Sequence, residues 1–211
     1  MGVAKMGRPH VPTLKTLLFI LVLPTMPQSL YSQETTLTLY AQYPDALYEE
    51  CWCYDTLLVV PAEGVRLKAD VYKRAVAFWN ELGLGVTLRS ARVFKPEQRD
   101  YVVLVEKTED DLRQADICSH GLCTLAQFRR GPDAFHDARY GGYCHPKSSM
   151  LIHDRLYEEK EERIIESFIH ELGHALGLDH VDGTLMQGVG SGGLILNDRQ
   201  LKALRAVYPK R

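Results

Sequence analysis

Apolar residues recur at helical spacing in three stretches of the chain, and each stretch predicts a helix. The first covers about 65–82 and is amphipathic; its apolar face consists of Leu67, Val71, Ala75, Phe78 and Leu82. The second covers about 158–176 and opens with several glutamates, which suit the positive end of a helix dipole. The third covers about 198–208, with Asn197 as its predicted N-cap and Gln200 three residues later.

Short apolar runs predict four strands, at residues 56–60, 86–88, 101–106 and 150–153. The stretch 107–148 is expected to be rich in loops. Strands that come first, helices interleaved among them and a helix at the end predict an α+β fold.

The first 32 residues have the pattern of a secretory signal peptide. Basic residues precede a seven-residue apolar run at 17–23. A membrane-spanning helix needs about 20 apolar residues, so we expect cleavage and export rather than an anchor, and a secreted or periplasmic protein. Residues 33–55 form a polar, tyrosine-rich lead-in, and residues 56–211 are expected to form one domain.

Charge and composition narrow the choice of partners. The chain has 211 residues, of which 45% are apolar and 25% charged, as in ordinary soluble domains. Its net charge is −2 and its basic residues are scattered, so we expect neither nucleic acid nor a membrane as partner. We expect a monomer.

Five cysteines occur in the chain, and in an exported protein the default expectation is disulfides. Cys118 and Cys123 enclose four residues and are expected to bond with each other. Cys51 and Cys53 are too close in sequence to pair comfortably, so we expect one of them to bond Cys144. The odd count leaves one thiol.

Residues 170–180 read His-Glu-Leu-Gly-His-Ala-Leu-Gly-Leu-Asp-His. His170 and His174 lie on one side of the predicted second helix because they are four residues apart. A straight helix could not bring His180 to the same point. Gly177 can end the helix in a left-handed turn, after which the chain reverses and His180 reaches the other two.

Three imidazoles that leave a fourth position for water are typical of a catalytic zinc ion. Glu171 follows the first histidine directly, so its carboxylate can take a proton from that water and pass it to a leaving amine. The alternative is a chance pattern around two core histidines, and it requires five specified positions to coincide. The sequence therefore predicts one catalytic zinc, held by His170, His174 and His180.

The segment resembles the H-E-x-x-H-x-x-G-x-x-H pattern of the metzincin metalloproteases, and its wording is most like that of the matrixins. Thr184-Leu185-Met186 resembles the Met-turn of that family, which implies that Met186 is a packing floor beneath the zinc. Residues 200–208 and the helix around Trp79-Asn80 also resemble matrixin helices. The resemblance implies a twisted mixed sheet with a first amphipathic helix, an active-site helix and a C-terminal helix, with residues 56–211 as the catalytic domain.

Some positions depart from the matrixin pattern. Gln200 stands where the family usually has an Asp that pairs with the mature N-terminus, and Gly188 stands where a Pro is common. No Pro-Arg-Cys-Gly cysteine switch occurs, and 33–55 is too short for the family's prodomain, so latency by that route is not expected. Cys51 or Cys53 as a zinc cap is an alternative that the default of disulfides disfavours.

Matrixins also hold a second, structural zinc, and two histidines here stand roughly where two of its ligands would be, His145 and His153. The remaining spacing, including His120 and His136, does not fit. Surface or core histidines are the favoured interpretation, and a second zinc or a calcium ion stays open.

The predicted function is that of a zinc endopeptidase acting on a protein or peptide. The substrate is expected to add a strand to an edge strand near 141–150, and the glycine-rich segment 188–193 is expected to wall a pocket. One alternative is a non-catalytic binding protein on the same scaffold, which would not need Glu171. Another is a zinc amidase that acts on a non-peptide substrate.

Overall fold

The computed structural model describes residues 39–48, 50–92, 102–107, 118–119, 122–123, 125–131, 134–145, 147–188 and 192–210. These residues lie within one compact unit that spans residues 37–211. The predicted signal peptide at 1–32 lies outside them. Among the described helices, none combines the length and the apolar character that a membrane span requires.

Ten strands and four α-helices make up the described fold. The strands are β1 Glu50–Cys51, β2 Thr56–Pro61, β3 Thr87–Ser90, β4 Val102–Lys107, β5 Cys118–Ser119, β6 Leu122–Cys123, β7 Ala126–Arg130, β8 Phe135–Asp137, β9 Gly142–Cys144 and β10 Lys147–Ile152. The helices are α1 Leu39–Gln42, α2 Ala69–Glu81, α3 Glu161–Ala175 and α4 Asp198–Val207, and a 3₁₀-helix covers Asp154–Glu158.

The main sheet has five strands in the order β3-β2-β4-β10-β7. The first four are parallel to one another, and β7 runs antiparallel to β10 at one edge. A three-stranded sheet has the order β1-β9-β8, and β5 and β6 form a hairpin. Strands β3 to β10 follow one another with no helix assigned between them among the described residues, and α3 and α4 come after them, which agrees with the predicted α+β class.

The apolar stripes predicted for the helices are buried against each other and the sheet. Helix α2 packs on α3 and β3, and α3 also contacts β7. Trp79 of α2 is fully buried and its indole donates to the Ile169 carbonyl of α3 at 3.0 Å. Helix α4 begins with the predicted capping box, in which the side chains of Asn197 and Gln200 each accept from the other's backbone N–H.

The starts of two helices and the content of one stretch differ from the sequence-based expectation. Helix α2 begins at Ala69 rather than near 65, because Lys68 is extended. Helix α3 begins at Glu161, and the residues before it form the 3₁₀-helix. The stretch 107–148 contains strands β5 to β9 and the first residues of β10 instead of mainly loops. These strands are two to six residues long, too short for periodicity to reveal.

The described part of the lead-in, residues 39–48 and 50–55, packs into the same core as the helices. Leu47 and Trp52 are fully buried within it. Cys53 forms a disulfide with Cys144, as expected for one member of the Cys51/Cys53 pair, and Cys51 is a buried free thiol. The predicted boundary between a lead-in and a domain at residue 56 stays a prediction.

The hairpin of β5 and β6 brings Cys118 and Cys123 opposite each other in the backbone register. Their side chains lie outside what the structure describes, so the predicted disulfide between them stays a prediction.

Candidate metal centre

Helix α3 places His170 and His174 on one face, and the chain then turns back at Gly177, whose φ is +93°. This is the left-handed turn predicted for that glycine. The turn brings the His180 ring to 4.6 Å from that of His174 and 5.3 Å from that of His170, between centroids. One ring nitrogen from each histidine lies within 4.8 Å of the others, so the three could hold one metal ion.

Two of the imidazoles are fixed by backbone carbonyls. Nδ1 of His170 lies 2.8 Å from the Leu185 oxygen, and Nδ1 of His174 lies 2.8 Å from the Leu178 oxygen. Each Nδ1 therefore donates its proton to a carbonyl, which leaves Nε2 with a lone pair for a metal. The Nε2 atoms of His174 and His180 are 3.1 Å apart.

Burial favours the neutral, metal-binding form of these histidines. Burial is the main reason that the pKa of His170 lies below its usual value and that of His174 lies at about 3, and the charges of neighbouring histidines act in the same direction. Their Nδ1 protons are hydrogen-bonded to carbonyls, so each uncharged ring offers Nε2 to a divalent ion that prefers nitrogen ligands.

Glu171 is the one buried carboxyl beside the triad among the described residues. Burial raises its pKa to about 8, and the Phe128 backbone N–H, which donates to Oε2 at 2.6 Å, acts in the opposite direction. A cation bound nearby would favour the carboxylate. The group can therefore exchange a proton near neutral pH, as a general base and acid must.

Met186 lies directly beneath α3. It is fully buried, and a Cβ added at Gly173 would come within 2.5 Å of its sulfur. The predicted Met-turn at 184–186 is held by the Val181 N–H, which donates to the Met186 carbonyl at 2.9 Å. Gln200 stands at the position where matrixins usually have an Asp. It is buried, and its side-chain amide donates to the Thr184 hydroxyl at 3.3 Å.

A cavity of about 550 Å³ opens over the triad. Its lining comprises Tyr48, Ala126, Gln127, Phe128, Arg129, Arg130, His170, Glu171, His174, His180 and Gly188. Strand β7 forms one side along its whole length. Gly188 is the one residue of the expected wall at 188–193 in this lining, and 189–191 lie outside the described residues.

The expectation that an edge strand lies near 141–150 is wrong. Strand β10 is flanked by β4 and β7, and β9 lies between β1 and β8. Among the described strands, the sheet edge beside the triad is β7, residues 126–130. That strand was missed because it falls in the stretch taken to be rich in loops.

A comparison with models of known protein families gave no match, and a comparison with curated proteins gave none either.

Tyr48 is a residue of this site that the sequence did not reveal. Its ring centroid lies 5.3 Å from that of His174, and the Arg130 guanidinium carbon lies 4.5 Å from the ring centroid on β7's side of the cavity. Burial raises the pKa of Tyr48 to about 12, with Asp179 contributing through its charge and a hydrogen bond. The only sequence signal was the cluster of tyrosines and cysteines in the lead-in.

The other histidines that the structure describes, at positions 136, 145 and 153, stand apart from the triad. His145 is fully buried, with Nδ1 2.8 Å from the Ser148 hydroxyl and Nε2 unpartnered. His153 accepts the Arg155 N–H at 2.9 Å, and the ring of His136 packs edge-on against Tyr143.

None of these histidines belongs to a ligand cluster within the described part of the chain, where the one other group is Cys51, Cys53 and Cys144. This agrees with core or surface roles; His120 lies outside the described residues. Cys51 and Cys53 are not placed to cap the triad, since Cys53 bonds Cys144 and Cys51 is buried against Gly177.

Proposed function

We propose that this chain is a secreted zinc-dependent endopeptidase of the metzincin type, most like a matrixin catalytic domain. The observation that carries the proposal is the convergence of three imidazoles beside a buried carboxyl in an open cleft. A structural histidine cluster would need neither the carboxyl nor the cleft. The sequence pattern from His170 to His180 and the buried Met186 agree with the family resemblance.

Zinc is the metal that this donor set suits best. Three nitrogen donors without a thiolate or a carboxylate ligand are typical of catalytic zinc sites that keep one position open. When bound there, zinc would acidify a water molecule and polarise the scissile carbonyl.

The chain's own residues supply the other steps. Glu171 takes the proton of the attacking water on its carboxylate and then delivers it to the nitrogen of the leaving amine. The Phe128 N–H holds that carboxylate toward the cleft. The substrate backbone pairs with the edge of β7 through backbone groups other than the Phe128 N–H, which keeps the scissile bond extended beside Glu171.

Export is part of the proposal and rests on two features. Residues 1–32 have the pattern of a signal peptide, and the Cys53–Cys144 disulfide suits an oxidising compartment. A non-catalytic binding protein and an amidase for non-peptide substrates are the alternatives that the following experiment separates.

The experiment compares Glu171→Gln with wild type on an unfolded protein or a peptide library. Glu162→Gln on the same helix is the matched control, because Glu162 is exposed in the first turn of the helix and does not line the cavity. We expect Glu171→Gln to keep its zinc and to lose about 10²–10⁴-fold in cleavage rate, while the control cleaves like wild type.

The other outcomes are equally decisive. Equal cleavage by Glu171→Gln and wild type would refute the mechanism. Wild type that binds zinc, cleaves no peptide and hydrolyses non-peptide amides would favour the amidase. Zinc binding without any hydrolysis would favour the binding protein.

A further inference from the structure

The lead-in reaches the candidate metal centre through its backbone. The Tyr48 N–H donates to the Gly177 carbonyl at 2.7 Å, and the Asp179 N–H donates to the Ala46 carbonyl at 3.0 Å. Between them, Leu47 and Leu178 form an antiparallel bridge. The segment contacted lies between two ligands of the triad, His174 and His180, and contains the turn that lets the second of them approach.

The Tyr48 side chain continues this contact onto a ligand. Its ring lies against the His174 imidazole, tilted by 46°. The Arg130 guanidinium also packs over the Tyr48 ring and is itself bonded to Glu50 at 3.0 Å through Nε. The Tyr48 ring is therefore held between Arg130 of β7 and the lead-in. In that position it limits the rotation of the His174 imidazole.

The same bridge fixes the carbonyl that orients His174. Leu178 pairs with Leu47 in the lead-in, and the Leu178 oxygen is the acceptor for Nδ1 of His174. A shift of the lead-in would therefore disturb two contacts of His174. One is the ring of Tyr48 against its imidazole, and the other is the hydrogen bond that fixes the proton on its Nδ1.

Anchors on either side hold the lead-in in place. The Tyr140 hydroxyl donates to the Tyr48 carbonyl. The Tyr208 hydroxyl lies 2.8 Å from the Trp52 carbonyl and 3.1 Å from the Leu176 carbonyl, so it links the lead-in to the end of α3. The Cys53–Cys144 disulfide adds a covalent tie.

We propose that residues 46–48 and 50–52 of the lead-in act as a strap that preorganises the metal centre, with Tyr48 as the positioning residue for His174. The inference rests on the proposed function in that it takes the triad to bind zinc. Its physical basis is that a ligand held in place before binding loses less freedom when the metal arrives. Groups that orient a ligand without touching the metal typically alter metal affinity about 10–100-fold.

The test measures zinc affinity by competition with a chromophoric chelator, so it does not depend on catalysis. Tyr48→Ala removes the ring, Tyr48→Phe keeps it, and Tyr43→Ala is the matched control because Tyr43 lies in the lead-in but stacks on Arg199 away from the cavity. We expect Tyr48→Ala to bind zinc about 10–100-fold more weakly. Tyr48→Phe and Tyr43→Ala should stay within about threefold of wild type, as variants that keep the orienting ring.

A spectrum separates positioning from general destabilisation. In the Co²⁺-substituted protein, the visible d–d bands report the ligand geometry and are expected to change in Tyr48→Ala and to be restored in Tyr48→Phe. If Tyr48→Ala does not fold, Tyr48→Leu carries the test, because it fills space without a planar ring. It should bind zinc more weakly than Tyr48→Phe.

The results that overturn the inference differ from those that overturn the proposed function. Unchanged zinc affinity and an unchanged Co²⁺ spectrum in Tyr48→Ala would refute the strap and leave the protease proposal standing. Loss of affinity in Tyr48→Phe equal to that in Tyr48→Ala would also refute it, since the ring would then not be the positioning group. No zinc binding by wild type would overturn both.

Discussion

Gly177→Ala is expected to damage the protein in two separable ways. The φ of +93° at this position is one that a residue with a Cβ adopts at a cost of about 1–2 kcal/mol. In addition, the new Cβ would lie 2.9 Å from the Cβ of Cys51 and 3.2 Å from the Glu50 carbonyl oxygen. Neither neighbour is the flexible end of a side chain, so the lead-in itself must move, which costs about 1–3 kcal/mol more.

Gly183→Ala provides the matched control for this prediction. Gly183 also has a positive φ, +70°, but a Cβ there would meet nothing within 4 Å. Its substitution should therefore cost only the backbone strain, about 1–2 kcal/mol. The free energy of unfolding of the metal-free proteins, measured in urea, should differ between the two variants by about 1–3 kcal/mol.

Zinc affinity should follow the same division. Gly177→Ala displaces the lead-in from the turn before His180 and should weaken zinc binding, whereas Gly183→Ala should not. Equal losses of stability in the two variants, with equal zinc affinity, would show that the close contact between this turn and the lead-in carries no energy.

Two further outcomes follow from buried groups. Burial lowers the pKa of His145 to about 3, so the unfolded chain binds a proton there below its ordinary pKa of about 6.5 and the folded chain does not. This group alone should lower the free energy of unfolding of the metal-free protein by about 1.4 kcal/mol for each unit that the pH is decreased from 6.5 to 3. The variant His145→Phe should show a shallower dependence on pH, and an identical slope would contradict the assignment. Replacing Cys53 and Cys144 together by Ala should lower stability by about 2–5 kcal/mol, because the bond closes a loop with a sequence separation of 91; denaturant unfolding that shows no loss would count against the disulfide.

Local rules explain what the sequence predicted correctly. Helical spacing located α2, α3 and α4, and the side-chain exchange between Asn197 and Gln200 begins α4 as expected. The three histidines meet because their spacing and the glycine turn determine the geometry within one short segment. The sequence predicted that one of Cys51 and Cys53 bonds Cys144, from the predicted export and the close spacing of the two, but not that it is Cys53.

What was missed depends on contacts between distant parts of the chain. Strand β7 is recognisable only through its pairing with β10, since five residues carry too little periodicity. Tyr48 reaches the triad because Leu47 bridges to Leu178, and no spacing rule connects positions so far apart. Both misses lie at the cleft, where the lead-in and the sheet edge meet α3.

The metal content of three purified chains tests the proposed centre most directly. Wild type, Glu171→Gln and His180→Ala are each given one equivalent of zinc, desalted, and analysed by plasma mass spectrometry. We expect one zinc per chain in wild type and in Glu171→Gln, because the carboxyl is not a ligand, and a strong loss in His180→Ala, because one of three ligands is gone. Full zinc in His180→Ala, or none in wild type, would contradict the three-histidine centre on which the proposed peptidase depends.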